Sequence, residues 1–528
     1  MNGENLIGYR YPSQSGKTFK AINPATNTEL EGDFFVAEKG YVAEALDLAE
    51  QAFATYRLLG KGKRAAFLRA IADEIEALGD TLIERAMAES GLPAGRLSGE
   101  RGRTTGQLRL FADYIDEGSW VQAVIDTALP DRQPLPRPDI RRMLVPLGPV
   151  VVFGASNFPL AFSVAGGDTA SALAAGCPVV VKAHSAHPGT SALVASAIKK
   201  AAEKTGMPEG VFSMLFDDGY TVGEALVKHP KTKAVTFTGS YNGGMALVKL
   251  GQERKEPIPV FAEMGSINPV LFLPRILAQK PEELAAQYAG SITLGAGQFC
   301  TNPGLLLAVR SEGLERFKNT LAGALQTAAP STMLTPGICK NYDEKSAAFL
   351  TDERITVLTK SGVKTAAGNE AVPVLATIRA TDFIADEKYQ EEVFGPYSLL
   401  VEAESEAELV SLLKILPGQL TLTVMAAEKE LREHPALADL VALKAGRVLM
   451  NGVPTGVEVS HAMQHGGPFP ATNDGRFTSV GTSAILRFAR PVAWQNWDEE
   501  LLPDELKSSN PLGISRVVDG KRSTDALS

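Results

Sequence analysis

The feature that most constrains the fold is a regular alternation of short apolar runs and helical patterns that begins at Gly148. Residues 149–153, 178–182, 211–216 and 233–238 have the length and apolar content of strands, and helical patterns separate them. Strands that alternate with helices in this way form a mostly parallel sheet that is covered on both faces. Ligands of such sheets bind at the carboxyl ends of the strands, so polar residues at those ends are candidates for a site.

The chain of 528 residues is too long for one compact core, and we expect two or three domains. Residues 1–38 are predicted to form short strands and turns, and helical periodicity follows as far as about residue 117. Residues 118–145 have few helix signals and many prolines and arginines, which fits either a surface loop or an extended arm that crosses to another domain or subunit.

Composition excludes several classes of function. The 52 basic and 61 acidic side chains give a net charge of −9, so we expect no nucleic-acid or membrane partner. The N-terminus lacks the layout of a signal peptide, and no apolar run reaches the roughly 18 residues that cross a bilayer, which predicts a cytoplasmic protein. The three cysteines are too scattered for a zinc site, and His461 and His465 lack the glutamate of an HExxH motif, so we expect no metal.

A glycine-rich loop around a lone cysteine is the first candidate for a reactive centre. The sequence GAGQFCTNPG, residues 295–304, places Cys300 between two glycine-bearing arms. Glycines let the backbone pass close to a ligand, and a deprotonated thiol at the floor of a cleft can act as a nucleophile. A buried structural cysteine is the alternative, because free cysteines are among the most buried residues.

Three polar residues follow apolar runs and share the expected edge of the sheet. The amide of Asn157 could donate a hydrogen bond to a developing oxyanion, although an asparagine before a turn commonly caps local backbone. Lys182 ends the second strand, with an exposed lysine as the alternative. Glu263 ends a later apolar run, where partial desolvation would raise its pKa and suit a general base; a salt-bridged glutamate is the alternative.

Further residues could hold a nucleotide. Gly239 and Ser240 end the fourth strand and Gly244 follows in the next helix, where backbone amides attract phosphate. The spacing GSxxxG differs from the GxGxxG fingerprint. In the segment EEVFGP, Glu392 could bind ribose hydroxyls and Phe394 could pack on a flat ring.

Taken in order, the segments FGASNFP, VVVK, FTGS, AEMG, GQFC and EEVFGP resemble the aldehyde dehydrogenase superfamily over nearly the whole chain. The segment AEMGS replaces the commoner ELGG and leaves only Gly265 at the second glycine pair. The resemblance implies an α/β aldehyde dehydrogenase-like fold, which assembles as a homodimer or homotetramer. It has a Rossmann-type dinucleotide-binding domain (1–117 and 146–257), an α/β catalytic domain (258–483) and a β oligomerisation arm (118–145 and 484–528).

The same resemblance assigns roles to the candidate residues. Cys300 is the nucleophile that forms a thioester with a small aldehyde, Glu263 the general base that activates water, and Asn157 the side-chain donor of the oxyanion hole. The glutamate favours hydrolysis, since relatives that deacylate with coenzyme A generally lack it. The cofactor positions are matched by Lys182, Ser240, Glu392 and Phe394.

The residue three places after Lys182 bears on the choice of cofactor. Ser185 stands where NAD-preferring relatives often carry glutamate, whose charge would repel a 2′-phosphate. A serine can accept that phosphate beside the lysine. We therefore expect NADP, with NAD tolerated.

Several segments look most like dehydrogenases that act on α-ketoglutaric semialdehyde (2,5-dioxovalerate), namely the Cys300 loop, RTTGQLRLFA (103–112), HGGP (465–468) and NPLGI (510–514). NADP-linked fatty or medium-chain aldehyde dehydrogenases share a similar cysteine loop and are the alternative. A non-catalytic structural or binding relative is a remote third interpretation, because such proteins tend to lose the nucleophile or the base.

The resemblance also places four residues along a substrate tunnel: Arg103, Gln107, Phe158 and Leu294. Arg103 is one helical turn from Gln107, so both can face one side. An arginine there could grip the carboxylate of a short, acid-ended aldehyde, and a long acyl chain would have to bury against its charge. A surface salt bridge between Arg103 and Glu100 is an equally open interpretation.

Overall fold

The computed structural model describes residues 3–13, 15–360 and 368–527. Its N-terminal part has short strands followed by long helices, as predicted. Two of the helices, α3 and α4, end at Gly91 and Gly118, whose φ values of 68° and 90° are the left-handed conformation that glycine adopts at helix ends. These elements are β1 (Leu6–Ile7), β2 (Thr18–Phe19), β3 (Ile22–Asn23), β4 (Thr28–Glu29), β5 (Phe34–Phe35), α1 (Lys39–Tyr56), α2 (Lys61–Ala77), α3 (Gly79–Ser90) and α4 (Ala94–Glu117).

A six-stranded sheet follows the predicted alternation. Two strands, β6 (Val124–Asp126) and β7 (Ile140–Pro146), lead into it. The strands run in the order β1-β10-β9-β8-β11-β12, and every pair is parallel except β1 with β10. Its remaining elements are β8 (Val150–Phe153), α5 (Gly167–Ala175), β9 (Val179–Lys182), α6 (Pro188–Lys204), β10 (Phe212–Leu215), α7 (Thr221–Lys228), β11 (Ala234–Thr238), α8 (Tyr241–Gln252) and β12 (Val260–Glu263).

Both faces of this sheet are buried, because alternate side chains of each strand point to opposite sides. In β8, Val150 and Val152 belong to one apolar cluster, and Val151 belongs to the cluster on the other side. Helix α5 begins at Gly167, later than the apolar pattern from residue 161 predicts. The backbone N–H groups of Leu160 and Ala161 donate to the Glu100 carboxylate at 2.8 and 3.0 Å, which holds this stretch in turns.

A seven-stranded sheet with the order β16-β18-β19-β14-β13-β20-β21 forms the second half of the fold. Only the pairing of β16 with β18 is antiparallel within it. The elements are β13 (Val270–Phe272), α9 (Pro274–Gln279), α10 (Pro281–Thr293), β14 (Leu305–Val309), α11 (Glu312–Thr327), β15 (Ser331–Thr332), α12 (Pro336–Leu350), β16 (Thr356–Lys360), β17 (Glu370–Ala371), β18 (Val374–Arg379), α13 (Ala380–Ile384), β19 (Tyr397–Ala403), α14 (Glu406–Ile415), β20 (Gln419–Met425), α15 (Pro435–Lys444) and β21 (Ala445–Met450).

The chain segments 118–145 and 484–528 meet in a third sheet of five strands. Its order is β22-β7-β6-β23-β24, where the last strands are β22 (Ala489–Gln495), β23 (Arg516–Val518) and β24 (Lys521–Ser523). Residues 118–145 therefore contribute two strands to a sheet that they share with the C-terminal segment. In the part of the chain that the structure describes, no helix combines the length and apolar content needed to cross a bilayer.

Candidate active site

The loop that carries Cys300 joins α10 to β14 and is tightly fixed. Gly297 has a φ of 65°, and a Cβ at this position would lie 2.4 Å from the backbone of Gly395, so only glycine fits. The Gln298 side chain is bonded within the protein, since its Oε1 accepts from Leu334 N at 3.0 Å. The carbonyl of Cys300 accepts from Asn268 Nδ2 at 2.8 Å. The thiol therefore projects from a backbone that has little freedom to move.

The side chains of His465 and Glu263 lie next to this thiol. The Cys300 Sγ lies 3.4 Å from Nε2 of His465, and the same nitrogen lies 3.0 Å from Oε1 of Glu263. The other carboxylate oxygen, Oε2, accepts from the hydroxyl of Ser479 at 2.6 Å. Sequence reasoning predicted catalytic roles for Cys300 and Glu263. It weighed His465 only as half of an i,i+4 metal pair with His461, which it rejected, and as part of the HGGP segment. In the structure His461 is exposed and contacts Tyr114 and Thr482.

The pKa expected for Glu263 is corrected by these contacts. Burial pushes the pKa of its carboxyl upward, as the sequence suggested, but His465, the Ser479 hydroxyl and Arg487 together hold it below its ordinary value. For the Cys300 thiol the balance is the opposite. Burial and the nearby carboxylates of Glu263 and Glu392 raise its pKa well above the ordinary range.

Asn157 reaches the cysteine loop from the end of β8. Its Nδ2 donates to the carbonyl of Gln298 at 3.1 Å, two residues before Cys300. An amide nitrogen carries two hydrogens, so the second remains available as a donor. This contact places Asn157 beside the Cys300 loop. The side chain therefore bonds to a distant segment and does not cap local backbone, which was the alternative.

An aromatic cluster with two arginines lies next to the thiol. Phe158 packs edge-on against Phe162 and Phe299, with ring centroids 5.3 and 5.5 Å apart. The guanidinium of Arg96 lies 4.5 Å from the centroid of the Phe158 ring, and that of Arg103 lies 5.2 Å from Phe162. The predicted tunnel residues Phe158 and Arg103 therefore share one apolar, cationic lining.

Arg103 does not form the salt bridge with Glu100 that was the open alternative. Glu100 instead pairs with Arg96 at 3.6 Å and accepts the two backbone N–H groups before α5. The Nε and Nη2 atoms of Arg103 are buried and have no hydrogen-bond partner among the described residues. Two unpaired guanidinium donors have the chemistry to bind a carboxylate.

The other two predicted tunnel residues differ in environment. Gln107 is buried, and its Nε2 lies 2.5 Å from the Cβ position that a side chain at Gly167 would occupy. Leu294 is 48% exposed and begins the turn before Cys300, so it lies at a rim. Sequence reasoning missed Arg447, whose buried Nε also lacks a partner in the described chain and whose charge favours the Cys300 thiolate. No motif around residue 447 indicated this.

The predicted cofactor residues line the carboxyl edge of the six-stranded sheet. Lys182 ends β9 in a largely buried position, and desolvation lowers its pKa despite Asp217 and Asp218. Its ammonium has no hydrogen bond or ion pair within the described ranges, so it is free to bind a ligand. Ser185 lies in the turn that follows.

Backbone groups complete this edge. Ser240 caps α8 by accepting from Gly243 N at 3.2 Å, and Gly239 N donates to the Glu263 carbonyl at 3.0 Å. A Cβ at Gly244 would approach Met264 to 2.7 Å, so the close packing of helix on strand requires glycine. Helix α8 thus presents an uncrowded N-terminus, which is a suitable site for a phosphate.

Glu392 and Phe394 approach from the seven-stranded half. They line one cavity together with Asn302 and Ser266. A Cβ at Gly265 would lie 2.6 Å from Oε2 of Glu392, which explains the one glycine that remains of the usual pair. Burial raises the pKa of Glu392 to about 7. Of the seven predicted cofactor residues, Glu392 and Phe394 therefore line a cavity, and the other five lie at or just after the carboxyl ends of strands β9 and β11.

Comparison with known proteins gives a consistent result. The model of the aldehyde dehydrogenase family matches residues 11–477. The chain is 51% identical over 531 residues to α-ketoglutaric semialdehyde dehydrogenase 2 of Azospirillum brasilense, covering 99% of both chains. It is 48% identical to α-ketoglutaric semialdehyde dehydrogenase of Acinetobacter baylyi, covering 98% of both. The structure of 3,6-anhydro-L-galactose dehydrogenase in complex with NAP matches with a TM-score of 0.78 at 22% identity, covering 93% of this chain and 99% of that one.

Proposed function

Because this chain belongs to the aldehyde dehydrogenase family, we propose that it oxidises α-ketoglutaric semialdehyde to α-ketoglutarate, with NADP⁺ as the oxidant. The observation that carries the choice of substrate is the near-complete alignment, at about half identity, with two dehydrogenases named for it. A physical observation agrees with this choice. Arg103 and Arg447, whose charges act on Cys300, have buried donors without a partner among the described residues, and an acid-ended aldehyde would satisfy them.

In the proposed reaction, the Cys300 thiolate attacks the aldehyde carbon and forms a C–S bond. The second N–H of Asn157 and the backbone N–H of Cys300 donate to the oxygen as negative charge develops on it. Removal of one such donor typically slows a reaction by about 10²–10³. When bound, the nicotinamide accepts the hydride that converts the adduct to a thioester.

Glu263 has the hydrolytic role in this scheme. Its lowered pKa keeps the carboxylate ionised at neutral pH, so it can accept a proton from water that attacks the thioester. The C–S bond then breaks, and its electron pair returns to the Cys300 sulfur. Ser479, which donates to Oε2, fixes the orientation of the carboxylate during this step.

For the cofactor we infer NADP rather than NAD alone. Lys182 and Ser185 would hold the adenosine ribose and its 2′-phosphate, and Gly239, Ser240 and Gly244 would accommodate the pyrophosphate at the start of α8. Glu392 would bind the second ribose and Phe394 would pack beside the nicotinamide ring. The free ammonium of Lys182 supports this inference.

For the substrate we assign Arg103 as the carboxylate anchor, with Arg447 as a second cationic donor. Phe158 would cover the short carbon chain, while Gln107 and Leu294 would bound the tunnel at its inner end and its rim. A long alkyl chain would leave the arginine donors buried and unpaired, at a cost of about 1–3 kcal/mol for each group.

The test of the substrate assignment compares initial rates for α-ketoglutaric semialdehyde, succinic semialdehyde and hexanal. We expect kcat/KM to be highest for the keto-acid semialdehyde, and Arg103→Met to lower it about 10²-fold while hexanal is oxidised as well as before. The matched control is Arg109→Met, because Arg109 lies on the same helix but pairs on the surface with Asp73 and Glu76. If hexanal is the best substrate, or if Arg103→Met lowers kcat/KM equally for the keto-acid semialdehyde and for hexanal, Arg103 is not the carboxylate anchor. The fatty-aldehyde alternative then replaces the proposed substrate.

The test of the cofactor assignment uses position 185. Ser185→Glu should shift the ratio of kcat/KM for NADP⁺ over NAD⁺ toward NAD⁺ at least about tenfold, because two negative charges would share one small site. Ser185→Ala is the control and should keep the preference for NADP⁺. An unchanged ratio in the glutamate variant would show that the 2′-phosphate binds elsewhere.

We further propose that the five-stranded sheet is an oligomerisation arm, and that the chain forms a homodimer or homotetramer. Residues 1–117 and 146–257 would bind the dinucleotide, and 258–483 would carry the catalytic domain, although β12 pairs with β11 in the six-stranded sheet. The strand β22 is an edge of the arm and mostly exposed, and such an edge can pair with another chain. Light scattering of the purified protein tests this, and the mass of a monomer would refute it.

A further inference from the structure

His465 is held in place more firmly than a side chain that merely fills space. Its backbone N–H donates to Thr478 Oγ1 at 2.8 Å, and its carbonyl accepts from Ser479 N at 2.8 Å. The side chain is completely buried, and the ring of Phe162 packs at 6.1 Å from it. These contacts direct Nε2 into the space between Cys300 and Glu263.

The surroundings of the Cys300 thiol make a neighbouring base such as His465 important. Burial and two nearby carboxylates favour the protonated thiol, which is a poor nucleophile. Two arginines, Arg103 and Arg447, act in the opposite direction through their charge. The basic atom within hydrogen-bond distance of Sγ is Nε2 of His465.

A bound metal ion is the other use of this cluster. Ligand atoms of Glu263, Cys300 and His465 lie within 4.8 Å of one another, and all three residue types bind zinc. However, Nδ1 of His465 is buried without a hydrogen-bond partner among the described residues. A histidine that binds a metal almost always donates its other ring N–H to an acceptor. The cluster therefore lacks the supporting acceptor that is usual for a histidine bound to a metal ion.

We propose that His465 is a further catalytic residue, whose Nε2 takes the thiol proton of Cys300 and leaves a thiolate beside an imidazolium that Glu263 stabilises. This inference rests on the proposed function, in which Cys300 is the nucleophile. The accepting form is the tautomer that carries its hydrogen on Nδ1, so that Nε2 has a free lone pair. The S–H bond breaks, its electron pair stays on sulfur, and a new N–H bond forms at Nε2. No oxidant or co-reactant is needed, because one proton moves between two groups of the same chain.

The arrangement also accounts for the regeneration of the nucleophile. When water hydrolyses the thioester, the departing sulfur is again a thiolate, and the imidazolium 3.4 Å away receives it as an ion pair. The proton of the water goes to Glu263 and then to solvent. The charged groups that surround the pair are Glu263, Glu392, Arg103 and Arg447.

The experiment measures second-order rate constants for alkylation of Cys300 by iodoacetamide between pH 5.5 and 9.5. The variants are His465→Phe, which keeps an apolar ring, and His465→Gln, which can hydrogen-bond but cannot take up a proton. His461→Gln is the matched control, four residues away and exposed. Mass spectrometry identifies the labelled cysteine, and a melting temperature with NADP⁺ binding verifies the fold.

We expect both His465 variants to be alkylated at least about tenfold more slowly at pH 7, with the midpoint of the profile moved to higher pH. The control variant should follow the wild type. Profiles of a folded His465→Gln protein that superimpose on the wild type would overturn the proposal. If the phenylalanine variant does not fold, the glutamine variant decides alone.

Alkylation needs no aldehyde, so the two proposals fail in different ways. If the wild-type protein does not oxidise the semialdehyde but its alkylation rate depends on His465, the substrate assignment is wrong and the role of His465 stands. If the protein is active but its alkylation rate does not depend on His465, the role of His465 is wrong and the substrate assignment stands.

Discussion

Two buried glutamates in this protein differ in how their oxygens are used. Glu89, at the end of α3, accepts from Gly189 N, Thr190 N and Thr190 Oγ1, each at 2.8 Å, and also pairs with Arg85 at 2.8 Å. Glu263, at the end of β12, has one oxygen on a serine hydroxyl and the other beside an imidazole that also touches a thiol. Both side chains are almost fully buried.

The difference separates structural from chemical carboxylates. The donors around Glu89 are mostly backbone and hydroxyl groups that hold their hydrogens at all accessible pH values, so this carboxylate only ties α3 to the start of α6. The partner of Glu263 can itself gain or lose a proton. A buried charge whose neighbours are ionisable is suited to proton transfer, whereas one saturated by fixed donors is suited to holding two elements together.

The largest expected effect is that of removing the charge of Glu263. The proposed role predicts that Glu263→Gln lowers kcat about 10²–10⁴-fold, because water is no longer activated and the thioester accumulates. Stopped-flow measurement should still show a burst of reduced cofactor in the first turnover. The control is Glu256→Gln, an exposed residue paired with Lys233. An unchanged kcat would place Glu263 in the structural class with Glu89.

The second effect concerns stability rather than rate. Glu89→Ala leaves two backbone N–H groups without their acceptor and Arg85 without its carboxylate, so we expect a loss of about 3 kcal/mol in the free energy of unfolding and a lower melting temperature. The kcat per folded molecule should be retained. Glu84→Ala, on the exposed face of the same helix, is the control. A large loss of kcat with an unchanged melting temperature would contradict the division into two classes.

The sequence indicated one of these residues and not the other. Glu263 ends an apolar run, and the side chain at the end of a buried strand must reach an edge of the sheet, so its location could be predicted. The Cys300 loop could also be predicted from the sequence, because its glycines are a local signal. Glu89 has no such signal, since its donors lie about 100 residues away along the chain.

Contacts between residues far apart in sequence also explain the features that the sequence did not predict or predicted wrongly. His465 meets Cys300 across 165 residues, and no spacing rule links two such positions. The pKa of Glu263 was expected to rise because burial alone was considered, and the imidazole that lowers it belongs to the same unpredicted contact. The late start of α5 follows from Glu100, which is 60 residues upstream. Sequence periodicity therefore could not predict contacts between side chains that lie far apart along the chain.

A third glutamate, Glu392, sharpens the comparison, because it has neither a saturating set of donors nor a proton-exchanging partner. Ser266 N approaches its Oε1 at only 3.5 Å, and Gly265 packs against Oε2. Burial therefore dominates, and the pKa of this carboxyl is raised to about 7 despite the Ser266 N–H and Lys345. Glu392 should therefore change its protonation near neutral pH, where the lowered pKa of Glu263 keeps that carboxylate ionised.

The smallest predicted effect follows from this shift. The proposed ribose contact needs the carboxylate, so affinity for NAD⁺, which lacks a titrating 2′-phosphate, should fall by up to about tenfold as pH drops from 8 to 6. Calorimetric titration measures it, and Glu392→Gln should bind weakly at both pH values. Glu391→Gln, on the exposed neighbour, should keep the wild-type dependence.

The protein without cofactor should show the opposite sign. Because the folded state holds the Glu392 proton more tightly than the unfolded chain, the contribution of this group to stability is fully present below the unfolded pKa and is lost as pH rises through about 7. Over the same interval in which cofactor binding improves, the apo protein should lose stability at this site, and Glu392→Gln should remove that part of the pH dependence. Binding and stability that change in the same direction would show that Glu392 is already satisfied, as Glu89 is, and that the ribose has another partner.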